Sequence, residues 1–366
     1  MNIYSAFYCS SCGANGQICD RAQFNYEKEK GMGGLSIRVG IVGTGFGATV
    51  HAPILTRHPA YDLLAIASQR PGRASEVASS FQIPHAYDDW KQMLEQAPID
   101  LVVFATRPAD HKLMTLSALS SDLHVLCEKP PALNLVEARA MEQASKLSDR
   151  VTAMNFEWRY LPERKAVKRL LNEGVLGKIL HVSWSEAWQI WGRIQEYEPG
   201  WDSEAEQGGG MLGAIGSHII DALCHWLGKV STVEGTTMNR VPTRKTADDS
   251  FSFVAIFEDE ITCSVSCTVA SVGCPPRIEI FGTNGTLRIS GHQLLIATAS
   301  SPDFVPVFVE ETMDVSDFPK EIQGYVHAQW HLYSDLAKSI AGETVDSLPS
   351  LTDAVHVQAV MDSIRS

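Results

Sequence analysis

No run of apolar residues in this 366-residue chain approaches the ~20 needed to cross a bilayer as a helix, and its first residues lack a basic stretch followed by an apolar core. Neither a membrane-spanning helix nor a secretory signal is expected, and the expected location is cytoplasmic. Cysteine is sparse: eight residues scattered over this length do not make the dense framework of a small secreted domain. Cys9 and Cys12 form one CxxC pair with Cys19 following alone, and a closed zinc site needs a second pair, so no metal is expected. Cys263 and Cys267 fall on one predicted strand about 13 Å apart, beyond disulfide reach, and read as packing residues. Basic charge is short as well. With 30 Lys and Arg against 43 Asp and Glu, the net charge of −13 repels phosphate backbones and anionic lipid over a Debye length, so neither nucleic acid nor membrane is an expected partner. Internal repeats and low-complexity tracts are also missing.

What is present is enough apolar sequence, 45%, for two cores. Residues 1–34 read as a polar, flexible N-terminal extension in which Met32 offers an alternative start of translation. Residues 35–155 alternate apolar strands at 37–42, 63–67, 101–105, 125–127 and 151–154 with helices ending near 55 and spanning 73–81, 109–120 and 135–147. Such alternation specifies a parallel sheet with right-handed crossovers. Residues 156–366 differ in texture. A helix at 162–173 and a glycine run leading into a helix that ends at 227 precede strands at 251–257, 261–269, 277–281 and 286–289. Turns at Glu258-Asp259 and Thr283-Asn284-Gly285 make these an antiparallel sheet, and helices at 326–340 and 352–364 close the chain. The expected fold class is α/β, with an N-terminal Rossmann sheet followed by a second α/β domain.

Between the first strand and the first helix stand Gly43, Thr44, Gly45, Phe46, Gly47 and Ala48. Gly43 permits a tight turn, Gly45 lets backbone approach a pyrophosphate, and the helix N-terminus offers free N–H groups to phosphate, so this segment is the expected cofactor contact. The second strand ends at Ser68-Gln69-Arg70, where an NAD-specific domain usually places a carboxylate on the ribose hydroxyls. A carboxylate about 4 Å from a 2′-phosphate would cost roughly 4 kcal/mol per charge pair at intermediate dielectric. Serine removes that barrier, and Arg70 or Arg73 can hold the phosphate, so the cofactor is NADP or NAD with NADP favoured.

At Cys127-Glu128-Lys129-Pro130-Pro131 the chain resembles the Gfo/Idh/MocA oxidoreductases, whose hallmark is Glu-Lys-Pro after the fourth Rossmann strand. Thr106 with His111, the run Arg159-Tyr160-Leu161-Pro162, Gly208-Gly209-Gly210, and Gly216-Ser217-His218-Ile219-Ile220-Asp221 follow in the order of that family. The resemblance covers residues 36–366. It implies a C-terminal α/β domain with a large, mostly antiparallel open sheet, a homodimer or homotetramer built through that sheet, and hydroxy or keto substrates such as sugars and polyols. It implies further that Thr106, His111, Glu128 and Lys129 contact the cofactor, that Lys129 and His218 are catalytic, and that Lys129, Glu157, Arg159, Tyr160 and His218 bind substrate.

The chemistry suits those residue types. Oxidising an alcohol carbon requires loss of the hydroxyl proton, and a lysine beside a cationic nicotinamide can have its pKa lowered enough to share in that transfer. Pro130 and Pro131 stiffen the backbone after Lys129. One departure from the family stands four residues before His218, where many members carry aspartate and this chain has Ala214. Either another acid substitutes, with Glu157 and Tyr160 the nearby groups, or Lys129 and His218 suffice, or the chain binds without turnover. The alternatives to a dehydrogenase are therefore a non-catalytic NAD(P) or sugar sensor and an NAD-dependent glycoside hydrolase. His218, Asp221 and His225 have the helical spacing of metal ligands, but Asp221 is expected to cap or pair locally. Trp184, Trp188, Trp191 and Trp201 form either a sugar-stacking wall or core and interface packing.

Overall fold

Ile37–Val42 buries its last four residues in succession, as a strand covered on both faces must, and forms β1. In the computed structural model, which describes residues 36–188, 200–240, 246–269, 271, 276–310 and 312–366, there follow α1 (Ala52–Leu55), β2 (Tyr61–Ala67), α2 (Arg73–Phe81) and β3 (His85–Tyr87). Next come α3 (Trp90–Gln96), β4 (Leu101–Phe104), α4 (Pro108–Ser120), β5 (His124–Cys127), α5 (Leu135–Lys146) and β6 (Thr152–Met154). The six strands are parallel, in the order β3-β2-β1-β4-β5-β6. Strand order reverses between β1 and β4. At such a point the crossover helices part on opposite faces and leave a crevice at the carboxyl ends of the strands, where dinucleotides bind.

The second sheet is larger than the four strands expected. After α6 (Pro162–Asn172) come β7 (Ile179–Ala187), α7 (Ser217–Leu227), β8 (Val230–Met238), β9 (Ser250–Phe257), β10 (Thr262–Thr268), β11 (Arg277–Gly282), β12 (Gly285–Ser290), β13 (Gln293–Thr298) and β14 (Ser301–Pro306). They form one sheet in the order β14-β13-β12-β11-β7-β10-β9-β8, antiparallel throughout except where β7 runs parallel to β10. On β9 Phe251, Phe253, Ala255 and Phe257 face the core while Val254 and Ile256 face out, so one face of the sheet is open.

Two further helices complete the chain, α8 (Gln323–Ile340) and α9 (Leu351–Arg365), the latter begun by a Ser350–Asp353 capping box. Helix α8 returns to the first sheet, where Val326, Leu332 and Leu336 join Val39, Ile41 and Ile66 in one buried cluster. Each such apolar side chain removed from water stabilises by about 1.5–3 kcal/mol. A part of the chain remote in sequence thus holds the sheet that carries the glycine turn. The expectations for residues 1–34 and for Trp191 lie outside the described residues.

Candidate active site

Only glycine fits at position 43. Its φ is +112°, and a Cβ there would lie 2.1 Å from the Ala105 carbonyl oxygen at the end of β4. The turn it permits places Thr44, Gly45 and Phe46 along a cavity of about 560 Å³, with Val42, Ala67, Ala105 and Glu128 marking the carboxyl ends of β1, β2, β4 and β5. Thr106 and Lys129 also line it, as do Ser68, Gln69 and Arg70 at one end. Gly47 does not line it; a Cβ there would lie 2.8 Å from Ile41 Cγ2, so its smallness serves the packing of helix on strand. This cleft fits an extended dinucleotide: small backbone-forward residues at the middle, polar and cationic groups at the ribose end, and a lysine at the other.

At the end of β2 the Thr44 and Ser68 hydroxyls hydrogen-bond at 3.1 Å, and Ser68 Oγ accepts from the Arg70 N–H. Arg70 is exposed beside them. Arg73, the other arginine expected as a phosphate contact, pairs with Glu76 at 2.7 Å and is not among the lining residues.

Glu128 is held by a buried network that sequence reasoning missed. Its carboxylate accepts from Asn155 Nδ2 and from the Lys129 N–H, and His51 Nε2 lies 2.9 Å away. His51 Nδ1 is 2.7 Å from the Tyr333 hydroxyl on α8, so with Nε2 donating to Glu128 the tyrosine donates to Nδ1. Asn155 and Gln329 exchange hydrogen bonds as well. Burial alone would raise the Glu128 pKa, but the His51 and Asn155 hydrogen bonds and the Lys129 charge hold it below its ordinary value. Glu128 therefore stays ionised, a fixed acceptor that orients the backbone of Lys129.

His111, expected at the cofactor, is fully enclosed with its ring nitrogens against the carbonyl oxygens of Thr106, Pro130 and Pro131 at 3.1–3.3 Å. It ties the end of β4 to the proline turn after Lys129 and is not among the residues lining the cavity. Lys129 itself is 7% exposed, and its Nζ donates to the Ala214 carbonyl at 3.0 Å. Burial lowers its pKa, with Glu128 and Glu157 pulling the other way. At position 214, where the resemblance implies an aspartate, the chain thus offers Lys129 a backbone carbonyl.

Behind Lys129 the structure brings together Glu157 and His218. Glu157 opens a single 3-10 turn, Glu157–Tyr160, between β6 and α6, and its Oε1 is 3.8 Å from His218 Nε2. Burial raises the Glu157 pKa to about 8, Lys129 opposing and Glu128 adding to the rise. The His218 ring lies flat on Trp158 at 4.5 Å, while the Arg164 guanidinium sits 4.3 Å from the Trp158 ring and 4.8 Å from that of Trp184. Burial, then Lys129 and Arg164, hold the His218 pKa well below its usual value. The imidazole is neutral and able to accept a proton or a hydrogen bond.

Arg159 and Tyr160, expected at the substrate, do not border the cavity that Lys129 lines. Arg159 is buried against Asp221, donating from Nε at 2.8 Å and Nη2 at 2.5 Å, with Asp353 3.4 Å from Nη2. Burial pushes Asp221 up to about 6 against the pull of Arg159. Both Arg159 and Tyr160 border a separate cavity with Lys168, His331 and Asp335. Asp221 is thereby committed to Arg159, and among the described residues no three His, Cys, Asp or Glu side chains converge as metal ligands. Trp184 is a core residue, 1% exposed and stacked on Trp226 at 5.7 Å, whereas Trp201 borders the cleft with Gly200 and Asp202.

A parallel sheet of this order with a glycine-turn crevice and a lysine on its lining has the form of a dinucleotide-binding domain with a candidate reactive group. The profile "Oxidoreductase family, NAD-binding Rossmann fold" matches residues 37–156, and the GFO/IDH/MocA C-terminal domain profile matches residues 165–288. The chain belongs to the GFO/IDH/MocA oxidoreductase family. An uncharacterized oxidoreductase of Synechocystis sp. is 28% identical over 356 residues, covering 89% of this chain and 92% of that one. The D-glucoside 3-dehydrogenase of Escherichia coli (strain K12) is 31% identical over 215 residues, which cover 57% of this chain and 60% of that enzyme, under two thirds of its length. Among solved structures, levoglucosan dehydrogenase in complex with NADH shares the fold, with a TM-score of 0.80 at 24% identity over 90% of this chain and 96% of that one.

Proposed function

We propose that this oxidoreductase moves a hydride between a nicotinamide cofactor and a hydroxyl- or carbonyl-bearing carbon of a sugar- or polyol-like substrate, with Lys129 and His218 as its catalytic groups. The observation that carries the reading is Lys129: buried, at the carboxyl end of β5, bordering the dinucleotide cleft in front and facing Glu157 and His218 behind. The D-glucoside 3-dehydrogenase and levoglucosan dehydrogenase among the relatives support the substrate class.

A bound nicotinamide supplies the hydride acceptor or donor; the chain's own groups place the substrate and manage its proton. In the oxidising direction Lys129, its pKa lowered by burial, takes the hydroxyl proton; in the reducing direction its ammonium donates to the forming alkoxide. Neutral His218 accepts a hydrogen bond from the substrate. Arg159 fixes the turn that carries Glu157 to the helix that carries His218. Glu157 gives the site a carboxyl despite Ala214, which favours turnover over the sensing alternative. The test is nicotinamide absorbance on incubation with NAD or NADP and a panel of sugars, polyols and their ketones. Binding of cofactor without reduction by any of them contradicts the reading.

The serine at position 68 and exposed Arg70 support NADP over NAD. A Ser68→Asp variant is expected to lose about 100-fold in kcat/KM with NADP relative to NAD, since a carboxylate would then face the 2′-phosphate. An unchanged cofactor ratio contradicts the preference. We propose also that the open face bearing Val254 and Ile256 is covered by a second copy, giving a dimer or tetramer; a monomer by light scattering removes this.

A further inference from the structure

We propose that Glu157 is the proton-accepting partner of Lys129: the substrate's hydroxyl proton, once on the lysine nitrogen, passes to the Glu157 carboxylate. The inference rests on the hydride-transfer reading above and adds to it the group that completes proton transfer where position 214 supplies only a backbone carbonyl.

Three observations carry it. Glu157 is 3% exposed, yet its Oε2 has no hydrogen-bond partner. A buried carboxyl oxygen left unpaired costs free energy, so a fold keeps one where a proton or ligand visits. The charged and titratable groups facing it come from every neighbouring element: Glu128 and Lys129 at the end of β5, Arg164 on α6 and His218 on α7. Of these His218 is neutral, Arg164 is held between two tryptophans, and Glu128 is engaged by His51 and Asn155. Lys129 is the one cation of the set that also borders the cleft. Lastly, two oppositely chargeable groups share a dry space, in which a net charge is costly and a single shared proton is not.

The step balances. The carbon–hydrogen bond breaks with its electron pair, which leaves as hydride to the oxidised nicotinamide, and the C–O bond becomes a carbonyl. The hydroxyl proton bonds to the Lys129 nitrogen, and an ammonium proton moves to a Glu157 oxygen. The lysine–glutamate pair gains one unit of positive charge as the nicotinamide loses one, so the charge of the closed site is unchanged. Reduction runs the same path backwards.

Glu157→Gln keeps the side chain's size and removes the acceptor. The expected result is a fall in kcat for alcohol oxidation of about 100-fold above about pH 8, where Glu157 is ionised and can accept a proton, with KM changed by no more than a few-fold. Glu157 raises the Lys129 pKa, so if lysine alone sufficed, the variant would keep its kcat plateau and only shift its pH profile to lower pH. That outcome overturns the proposal. A second measurement needs neither substrate nor cofactor: infrared difference spectra of the wild-type protein should show a carboxylic acid band lost as pH rises through about 8, and absent from Glu157→Gln. A wild-type spectrum identical to the variant's also overturns it. If wild-type protein reduces no cofactor with any substrate while the band is present, the hydride-transfer reading fails, and with it the use of the proton store, although the store itself is there.

Discussion

Lys129→Met is expected to lower kcat for substrate oxidation by about 1000-fold while leaving the dissociation constant for NADH within a few-fold of the wild-type value. The split follows from where the groups stand. Thr44, Gly45 and Phe46 form the middle of the cleft without help from residue 129, so binding of the dinucleotide persists. The amino group is another matter: among the described residues bordering the cleft, no other is a cation with a pKa lowered by burial and a carboxyl behind it. Methionine fills the same volume and leaves Glu157 with less reason to ionise, because Lys129 is the group that lowers its pKa. The variant should therefore fail at the proton, not at the fold. Retention of more than a tenth of wild-type kcat, read by steady-state kinetics, contradicts the assignment of Lys129.

Asp221→Ala should destabilise the protein by about 3–5 kcal/mol, because it leaves the Arg159 guanidinium charged and enclosed without its two-pronged acceptor. Side-chain exposure of 4% for Arg159 and 1% for Asp221 means that water cannot take the carboxylate's place. Asp353, at 3.4 Å, offsets a part of the loss, but it also caps α9 through Ser350 and cannot leave that position freely. Denaturant titration reads the effect as a lower midpoint with an unchanged slope. Removing both partners in Arg159→Met/Asp221→Leu should recover most of the stability, since well-packed apolar groups commonly replace a buried pair at little cost. A single variant as stable as the wild type would show that the pair holds nothing together.

The first sheet was legible because its strands are uniformly apolar and its helices alternate with them; β1, α2, α4 and α5 fall within a few residues of where periodicity puts them. The exceptions are short or polar. β3 has three residues, none of them buried, and α3 has only seven, although its Asp89 cap, accepting from the Lys91 N–H, is a readable signal. In the second sheet β8 and β14 are edge strands with almost no buried positions, so neither face imposes an apolar alternation. β7 does alternate, and of the two readings open for its Trp184, sugar-stacking wall or core packing, the side chain takes the core.

At the site, the glycine turn and Lys129 carry local signals: a backbone conformation only glycine allows and a motif after a strand. Glu157 and Tyr160 do not. They are three residues apart on one tight turn, and only its orientation decides that one carboxyl lies beside His218 while the phenol borders another cavity. The His51–Tyr333 contact joins residues 282 apart in sequence, and no spacing rule reaches that far. Arg159 belonged to a recognisable run and carried a charge, which pointed to substrate; its burial against Asp221 is a tertiary fact.

The most direct measurement is a crystal structure with oxidised cofactor and a sugar-like alcohol bound together. The predicted result is Lys129 Nζ within hydrogen-bond reach of the substrate oxygen, about 3 Å, with the nicotinamide ring stacked along the same end of the cleft. A nicotinamide at the Ser68 end of the cleft, or an ammonium still held on the Ala214 carbonyl with the substrate out of its reach, would contradict the account.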